Sequence, residues 1–158
     1  MNDRPGQADQ TRVAQPVASL AVLYAGILIG VSFIATPAKF LAQSITLAQA
    51  LDVGRWTFRI FGWVELGMVI LMLILGMRYR GIRVWGPIIA VLVAVLCQFL
   101  FLRPLLDARL GTILAGGEPP PSQLHNIYGL IELGKLAALL CIGWGRHARS
   151  ASGSGSSS

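Results

Sequence analysis

The chain has 158 residues, of which 54% are hydrophobic and only 13% are charged, and its formal net charge is +6. A soluble domain carries about a quarter charged residues, so this composition excludes an ordinary soluble protein and indicates a membrane protein. The basic residues flank apolar segments instead of forming runs with interleaved aromatic residues, so we do not expect nucleic-acid binding.

Four apolar segments follow one another along the chain, each close to the roughly 20 residues that a helix needs to cross a bilayer. They cover residues 17–36, 56–77, 84–102 and 124–144. Pro37 and Pro104 lie just beyond the first and third segments, and because proline interrupts helical hydrogen bonding we expect both helices to end there. The pattern predicts an all-α membrane protein with four transmembrane helices, of which residues 17–144 form the bundle.

The polar ends of the chain and the flanking charges predict an orientation. We predict residues 1–16 and 145–158 as cytoplasmic tails, the second of them flexible because it is rich in serine and glycine. Seven basic residues flank the spans on the side of the termini: Arg4, Arg12, Arg78, Arg80, Arg83, Arg146 and Arg149. Five flank them on the other side: Lys39, Arg55, Arg59, Arg103 and Arg109. This bias predicts a multi-pass protein of the bacterial inner membrane with both termini in the cytoplasm.

The second and fourth segments resemble each other in sequence. Residues 62–67 read Gly-Trp-Val-Glu-Leu-Gly and residues 129–134 read Gly-Leu-Ile-Glu-Leu-Gly, an offset of 67 residues that also aligns Pro37 with Pro104. We interpret this as an internal repeat of two helical hairpins, related by a pseudo-two-fold axis along the membrane normal. Repeat one covers residues 17–77 and repeat two covers residues 84–144.

The repeat places one carboxylate in each half of the bundle, at Glu65 and Glu132. Both lie roughly 12–13 Å from the outer ends of their helices at the usual helical rise. Lipid exposure of a carboxylate is costly, so we expect both to face the interior of the bundle. Two carboxylates at one depth do not both ionise cheaply, so either one holds a proton or the pair binds a cation. A structural role in hydrogen bonding between helices stays open.

Other polar residues are spaced to join this pair. His125 and Tyr128 share a helix face with Glu132, and Lys135, three residues further on, can reach Glu132 along the same helix. Arg59 enters the second span on the same side of the membrane. We predict that these four residues shape a binding pocket in the outer half of the bilayer. Four charged residues near the span ends are predicted to form its mouth: Asp52, Arg55, Arg103 and Asp107.

Three stretches resemble a known group of proteins. They read Gly30…Ser32-Phe33…Pro37…Phe40, Leu51-Asp52…Gly54-Arg55…Phe58 and Pro121-Ser122…His125…Tyr128…Glu132. The pattern is similar to uncharacterised bacterial four-helix membrane proteins that are known only as a domain of unknown function. The resemblance covers most of residues 17–144 and implies a four-helix membrane protein with a polar site toward the outer face. It implies no activity.

Three functional hypotheses follow. The first is a membrane protein that binds or carries a proton or a small cationic solute. The second is a membrane-embedded metal or redox enzyme with Glu65, Glu132 and His125 as ligands, although a single histidine and the absence of a paired Glu-x-x-His motif count against it. The third is an accessory subunit of a larger membrane complex. The expected partner is the lipid bilayer, a homodimer or larger assembly stays open, and the sequence names no cofactor.

Overall fold

The computed structural model describes residues 5–78, 82–118 and 120–144, and side chains from residue 15 onward except at 82–84. The predicted tail at residues 145–158 lies outside this range. Six α-helices are present in the described part of the chain: α1 (Pro5–Leu28), α2 (Thr36–Leu41), α3 (Leu47–Gly76), α4 (Ile82–Cys97), α5 (Arg103–Leu114) and α6 (Leu124–Trp144). Helix α1 begins at Pro5, so residues 5–16 of the predicted N-terminal tail are helical.

Two π-helical segments join some of these helices end to end. Ile29–Ala35 connects α1 to α2, and Gln98–Leu102 connects α4 to α5. Four continuous helices that are long and apolar enough to cross a membrane result, and we call them spans one to four: Gln15–Leu41, Leu47–Gly76, Trp85–Leu114 and Leu124–Trp144. The predicted all-helical class with four membrane-length helices is confirmed for the described residues.

The predicted helix ends at Pro37 and Pro104 are wrong, because both helices continue beyond these residues. In each case the N–H before the proline bonds to a carbonyl five residues back, from Thr36 to Val31 and from Arg103 to Gln98. A proline ring clashes with the carbonyl four residues before it and donates no hydrogen bond. The wider π-helical turn relieves that clash, so the chain continues as a helix instead of stopping.

If the helices ended at Pro37 and Pro104, each connection that follows them would have roughly 20 residues. Because both helices continue past the prolines, these connections are shorter. Residues 42–46 join span one to span two, and Thr46 begins α3 with a capping box. Its backbone N–H donates to Gln49 Oε1 at 2.8 Å, and the Gln49 N–H donates to Thr46 Oγ1 at 3.3 Å. Span three ends before Gly116, whose φ of 81° suits the left-handed residue that follows many helices.

Each span packs against two neighbours, in the ring order one, two, three and four, with span four returning to span one. Spans two and four therefore face each other across the bundle. The inward face of α3 carries Glu65, then Val69, Met72 and Gly76 at successive turns, all of them buried. An apolar core that includes Leu28, Val91 and Leu139 fills the end of the bundle at which α3 reaches Gly76. The polar residues consequently gather at the other end, where α2, α5 and the short connections lie.

Candidate functional site

Glu65, Glu132 and Lys135 form a buried cluster that we call the charged triad. Lys135 Nζ donates to Glu132 Oε1 at 2.9 Å on its own helix and to Glu65 Oε1 on span two. The three residues are 1–2% exposed. The sequence predicted that Lys135 would reach Glu132 and did not predict its contact with Glu65. The ammonium group of Lys135 thus links spans two and four across the interior of the bundle.

Spans one and three supply hydrogen bonds to the same two carboxylates. The Tyr24 hydroxyl donates to Glu65 Oε1 at 2.9 Å, and Gln98 Nε2 donates to Glu132 Oε1 at 3.1 Å. The Ser32 hydroxyl lies 3.3 Å from Glu132 Oε2 as a third donor. All four spans therefore contribute to the site. Gln98 Oε1 is buried and, among the described residues, accepts no hydrogen bond.

The formal charges of the triad do not cancel. Two ionised carboxylates and one ammonium group leave a net charge of −1, buried among groups that are almost fully shielded from solvent. An uncompensated charge in such an environment costs several kcal/mol. A single added proton makes the cluster neutral, and the site is therefore suited to hold one.

A cavity of about 470 Å³ opens between the ends of all four spans beside the triad. We call it the basic pocket, because its charged lining consists of Lys39, Arg55, Arg59, Arg103, Arg109 and a single acid, Asp107. Of the residues predicted from the sequence, Arg59, His125 and Tyr128 line it. The predicted mouth residues Arg55, Arg103 and Asp107 line it as well, whereas Asp52 is half-buried in α3 and is not part of the lining.

A second cavity of about 360 Å³, which we call the side pocket, lies between spans one and four and is lined in part by Glu132. The two pockets share five lining residues: Thr36, Phe40, Phe58, His125 and Tyr128. Tyr128 is only 5% exposed, and its ring meets that of Phe58 edge-on at a centroid distance of 5.3 Å. The triad therefore borders open space at this end of the bundle through Glu132.

The predicted mouth residues make specific contacts. Arg55 Nε lies 3.3 Å from Asp107 Oδ1, as an ion pair whose geometry is not that of a hydrogen bond. The guanidinium group of Arg103 donates to the Phe58 carbonyl and lies 5.0 Å from the centre of the Phe99 ring. Both contacts connect spans two and three at the rim of the basic pocket.

The predicted metal ligands are not brought together as a metal site. Within residues 5–78, 82–118 and 120–144, no group of three or more His, Cys, Asp and Glu side chains is arranged to hold a metal ion. His125 is exposed and lines both pockets, while Glu65 and Glu132 are engaged by Lys135. The Lys135 ammonium group occupies the space between the carboxylates in which a bound metal cation would have to lie.

Ser32 and Gln98, which bond Glu132, were not among the predicted site residues, and neither were Tyr24 and Lys39. Tyr24 is fully buried and donates to Glu65, and its only visible feature in the sequence was a hydroxyl group within an apolar segment. Lys39 Nζ lies within 5.5 Å of the Phe58 ring centre and lines the basic pocket. Because it follows Pro37, it was counted only as a flanking charge of a helix expected to end before it.

No protein-family model matches the chain, and neither a curated protein nor a solved structure is significantly similar to it. The four-span fold and the chemistry of the charged triad and the two pockets are therefore the grounds on which a function is assigned.

Proposed function

We propose that the chain is a multi-pass protein of the bacterial inner membrane that binds and carries a proton at the charged triad, with both termini in the cytoplasm. The observation that supports this most is the charge of the triad, where one ammonium group faces two carboxylates in a buried site. On the predicted orientation the triad and its pockets lie in the outer half of the bilayer, and the apolar core fills the cytoplasmic half.

A proton fits the site better than a cationic solute does. Lys135 Nζ already lies between Glu65 and Glu132, so a second cation would have to displace it. The neighbouring basic pocket would also repel a positively charged solute on its way to Glu132. A proton needs no additional volume, and it removes the one charge that the triad leaves uncompensated.

The unpartnered oxygen of Gln98 supports Glu132 as a place for that proton. Gln98 Nε2 lies 3.1 Å from Glu132 Oε1, while Gln98 Oε1 is buried without a donor. Rotating the amide group by a half-turn exchanges its oxygen and nitrogen. A protonated Glu132 would then donate to the Gln98 oxygen, at the cost of the hydrogen bond that Gln98 Nε2 donates to the Tyr128 carbonyl at 3.4 Å.

The internal repeat is part of this proposal. The two π-helical segments end at Ala35 and Leu102, which are 67 residues apart, as are Glu65 and Glu132. The two hydrogen bonds that span five residues also match at this offset. Such agreement in an unusual backbone conformation supports descent of the two halves from one hairpin, in which the bridging Lys135 belongs to the second half alone.

A structural role is the second candidate, and one specific observation favours it. The triad receives hydrogen bonds from spans one and three and joins spans two and four, so it could serve only to hold the bundle together. On that account the glutamates would be needed for folding and not for proton movement. An accessory subunit of a larger complex would use the triad in this way.

Proton flux into vesicles separates these functions. Purified protein is reconstituted into liposomes that contain a pH-sensitive dye, and the internal pH is followed after an acid step outside. We expect faster acidification than in protein-free vesicles, lost in Glu65→Gln and in Glu132→Gln. Glu118→Gln is the matched control, since Glu118 is exposed in the connection before span four. Equal rates in folded wild-type and Gln variants would contradict proton carriage at the triad.

A further inference from the structure

The charged lining of the basic pocket is almost entirely positive. Five basic side chains face the cavity with one carboxylate, and that carboxylate is already paired with Arg55. Among the described residues, Lys39, Arg59, Arg103 and Arg109 have no carboxylate within ion-pair distance. Cationic side chains that converge on a cavity attract an anion and disfavour a cation.

Two of these cations occupy space that glycine residues of α3 leave free. A Cβ atom at Gly62 would overlap the Arg103 guanidinium group, and one at Gly54 would overlap Lys39 Nζ. Helix α3 thus provides room for both side chains by presenting glycine at each position. Arg103 donates to the Phe58 carbonyl, and because a guanidinium group has five N–H donors it keeps others for a ligand. A preorganised arginine of this kind suits carboxylate or phosphate oxygens.

Most of the remaining lining of the cavity is apolar or aromatic. Its wall includes Phe40, Phe58, Trp63, Phe99, Leu110 and Ile113. The volume of about 470 Å³ lies within the range of about 300–1,000 Å³ that is usual for small-molecule sites. The lining therefore matches a molecule with an anionic group at one end and an apolar body at the other.

The position of the pocket suits the same chemistry. Span two has 30 residues. It is therefore about 45 Å long at 1.5 Å per residue. That exceeds the hydrocarbon thickness of about 30 Å, so one end of the helix reaches the headgroup region. Lys39, Arg55 and Arg109 lie around that end, where a charged group meets water and an apolar body meets lipid.

We propose that the basic pocket binds an amphipathic organic anion, with its carboxylate or phosphate group at Arg103 and its apolar body against the aromatic wall. The inference goes beyond the proposed function, because it concerns the basic pocket and not the charged triad. The anion could be a free organic acid or the headgroup and upper chain of an anionic lipid, since both present the same chemistry.

Binding of charge-reversed probes tests the proposal. Protein in nanodiscs of phosphatidylcholine is dialysed to equilibrium against radiolabelled octanoate or octylammonium, with empty nanodiscs as background. We expect saturable octanoate binding and none of octylammonium. Arg103→Gln should weaken octanoate binding by about tenfold to a hundredfold, the usual range for a charge-assisted hydrogen bond, and Lys39→Gln should weaken it by less. Arg78→Gln, just beyond the opposite end of α3, is the matched control.

A second experiment distinguishes an anionic lipid from a free organic acid as the source of the anion. Phosphatidylglycerol in the nanodisc should compete with octanoate, and native mass spectrometry should find it retained on the protein, if the anion is a lipid. Octanoate binding that phosphatidylglycerol leaves unchanged would assign a free organic acid. Both outcomes support an anion site.

Equal binding of octylammonium, or octanoate and phosphatidylglycerol binding that survives in the pocket variants, would overturn the proposal. Arg109→Gln is a second pocket variant for the case that Arg103→Gln does not fold. The Arg109 side chain lines the pocket and makes no hydrogen bond within the described part of the protein. Proton flux in Arg109→Gln keeps the two claims separate. Retained proton flux with unaltered anion binding in every pocket variant would count against this inference alone.

Discussion

Lys135 and Glu65, 70 residues apart in the chain, are joined by a hydrogen bond across the interior of the bundle. The same ammonium group bonds Glu132 one helical turn away on its own helix. One cation thus serves two carboxylates that lie 67 residues apart in the sequence. The remaining negative charge is the reason that this site should take up a proton. For the same reason, loss of Lys135 should destabilise the protein more than loss of one glutamate charge.

Lys135→Met should destabilise the protein by about 3–5 kcal/mol, because it leaves two buried carboxylates without their cation. Glu65→Gln should cost much less, since Lys135 and Glu132 remain as a neutral pair. The free energy of unfolding in detergent, measured by denaturant titration, checks this order. A Glu65→Gln protein as unstable as Lys135→Met would contradict the charge count of the triad.

Gly62→Ala should abolish most anion binding in the basic pocket with little loss of stability. Its Cβ would overlap the end of the flexible Arg103 side chain, which has to move away from its position. Gly67→Ala, five residues further along the same helix, is the control, because nothing lies within 4 Å of a Cβ added there. Octanoate dialysis and thermal unfolding of both variants provide the comparison. Equal octanoate affinity in the two would contradict the role of Gly62.

Pro104→Ala should regularise the helix of span three. The new N–H can bond to the carbonyl four residues back, so the π-helical turn at Gln98–Leu102 loses its cause. Hydrogen exchange of residues 98–104 should slow by roughly tenfold or more, since proline costs a helix interior about 3 kcal/mol. Pro121→Ala, in the exposed connection before span four, is the control. Unchanged exchange in Pro104→Ala would show that the π-helical turn has another origin.

Gln98→Leu should remove the amide oxygen that would accept a hydrogen bond from a protonated Glu132. A protonated carboxyl group without an acceptor absorbs at a higher infrared frequency than one that donates a hydrogen bond, so the carboxyl band should move upward. Gln123→Leu is the control, since Gln123 is exposed beside the start of span four. A carboxyl band that stays in place in Gln98→Leu would place the proton away from this amide.

Much of the fold could be predicted because membrane-length apolar segments need only length and composition to be recognised. The contact of Lys135 with Glu132 was also predictable, since residues three apart share a helix face. Its contact with Glu65 was not, because it depends on which spans lie opposite each other in the ring. Neither was Tyr24, whose partner is 41 residues away and belongs to another helix.

The errors at Pro37 and Pro104 have one physical cause. The rule that proline ends a helix assumes α-helical hydrogen bonding up to the proline, and a π-helical turn makes that assumption false. The same error affected the prediction of the site. With helix ends expected at the prolines, Lys39 and Arg109 were assigned to connections, although both line a pocket between helices.

Infrared spectroscopy of the protein in lipid tests the central claim most directly, by counting protonated buried carboxyl groups at neutral pH. Labelling of the glutamate carboxyl groups with ¹³C identifies the band. The wild-type triad should show one protonated glutamate, Glu65→Gln should show none, and Lys135→Met should show more than the wild type. A wild-type protein with no protonated glutamate in the triad would contradict the account.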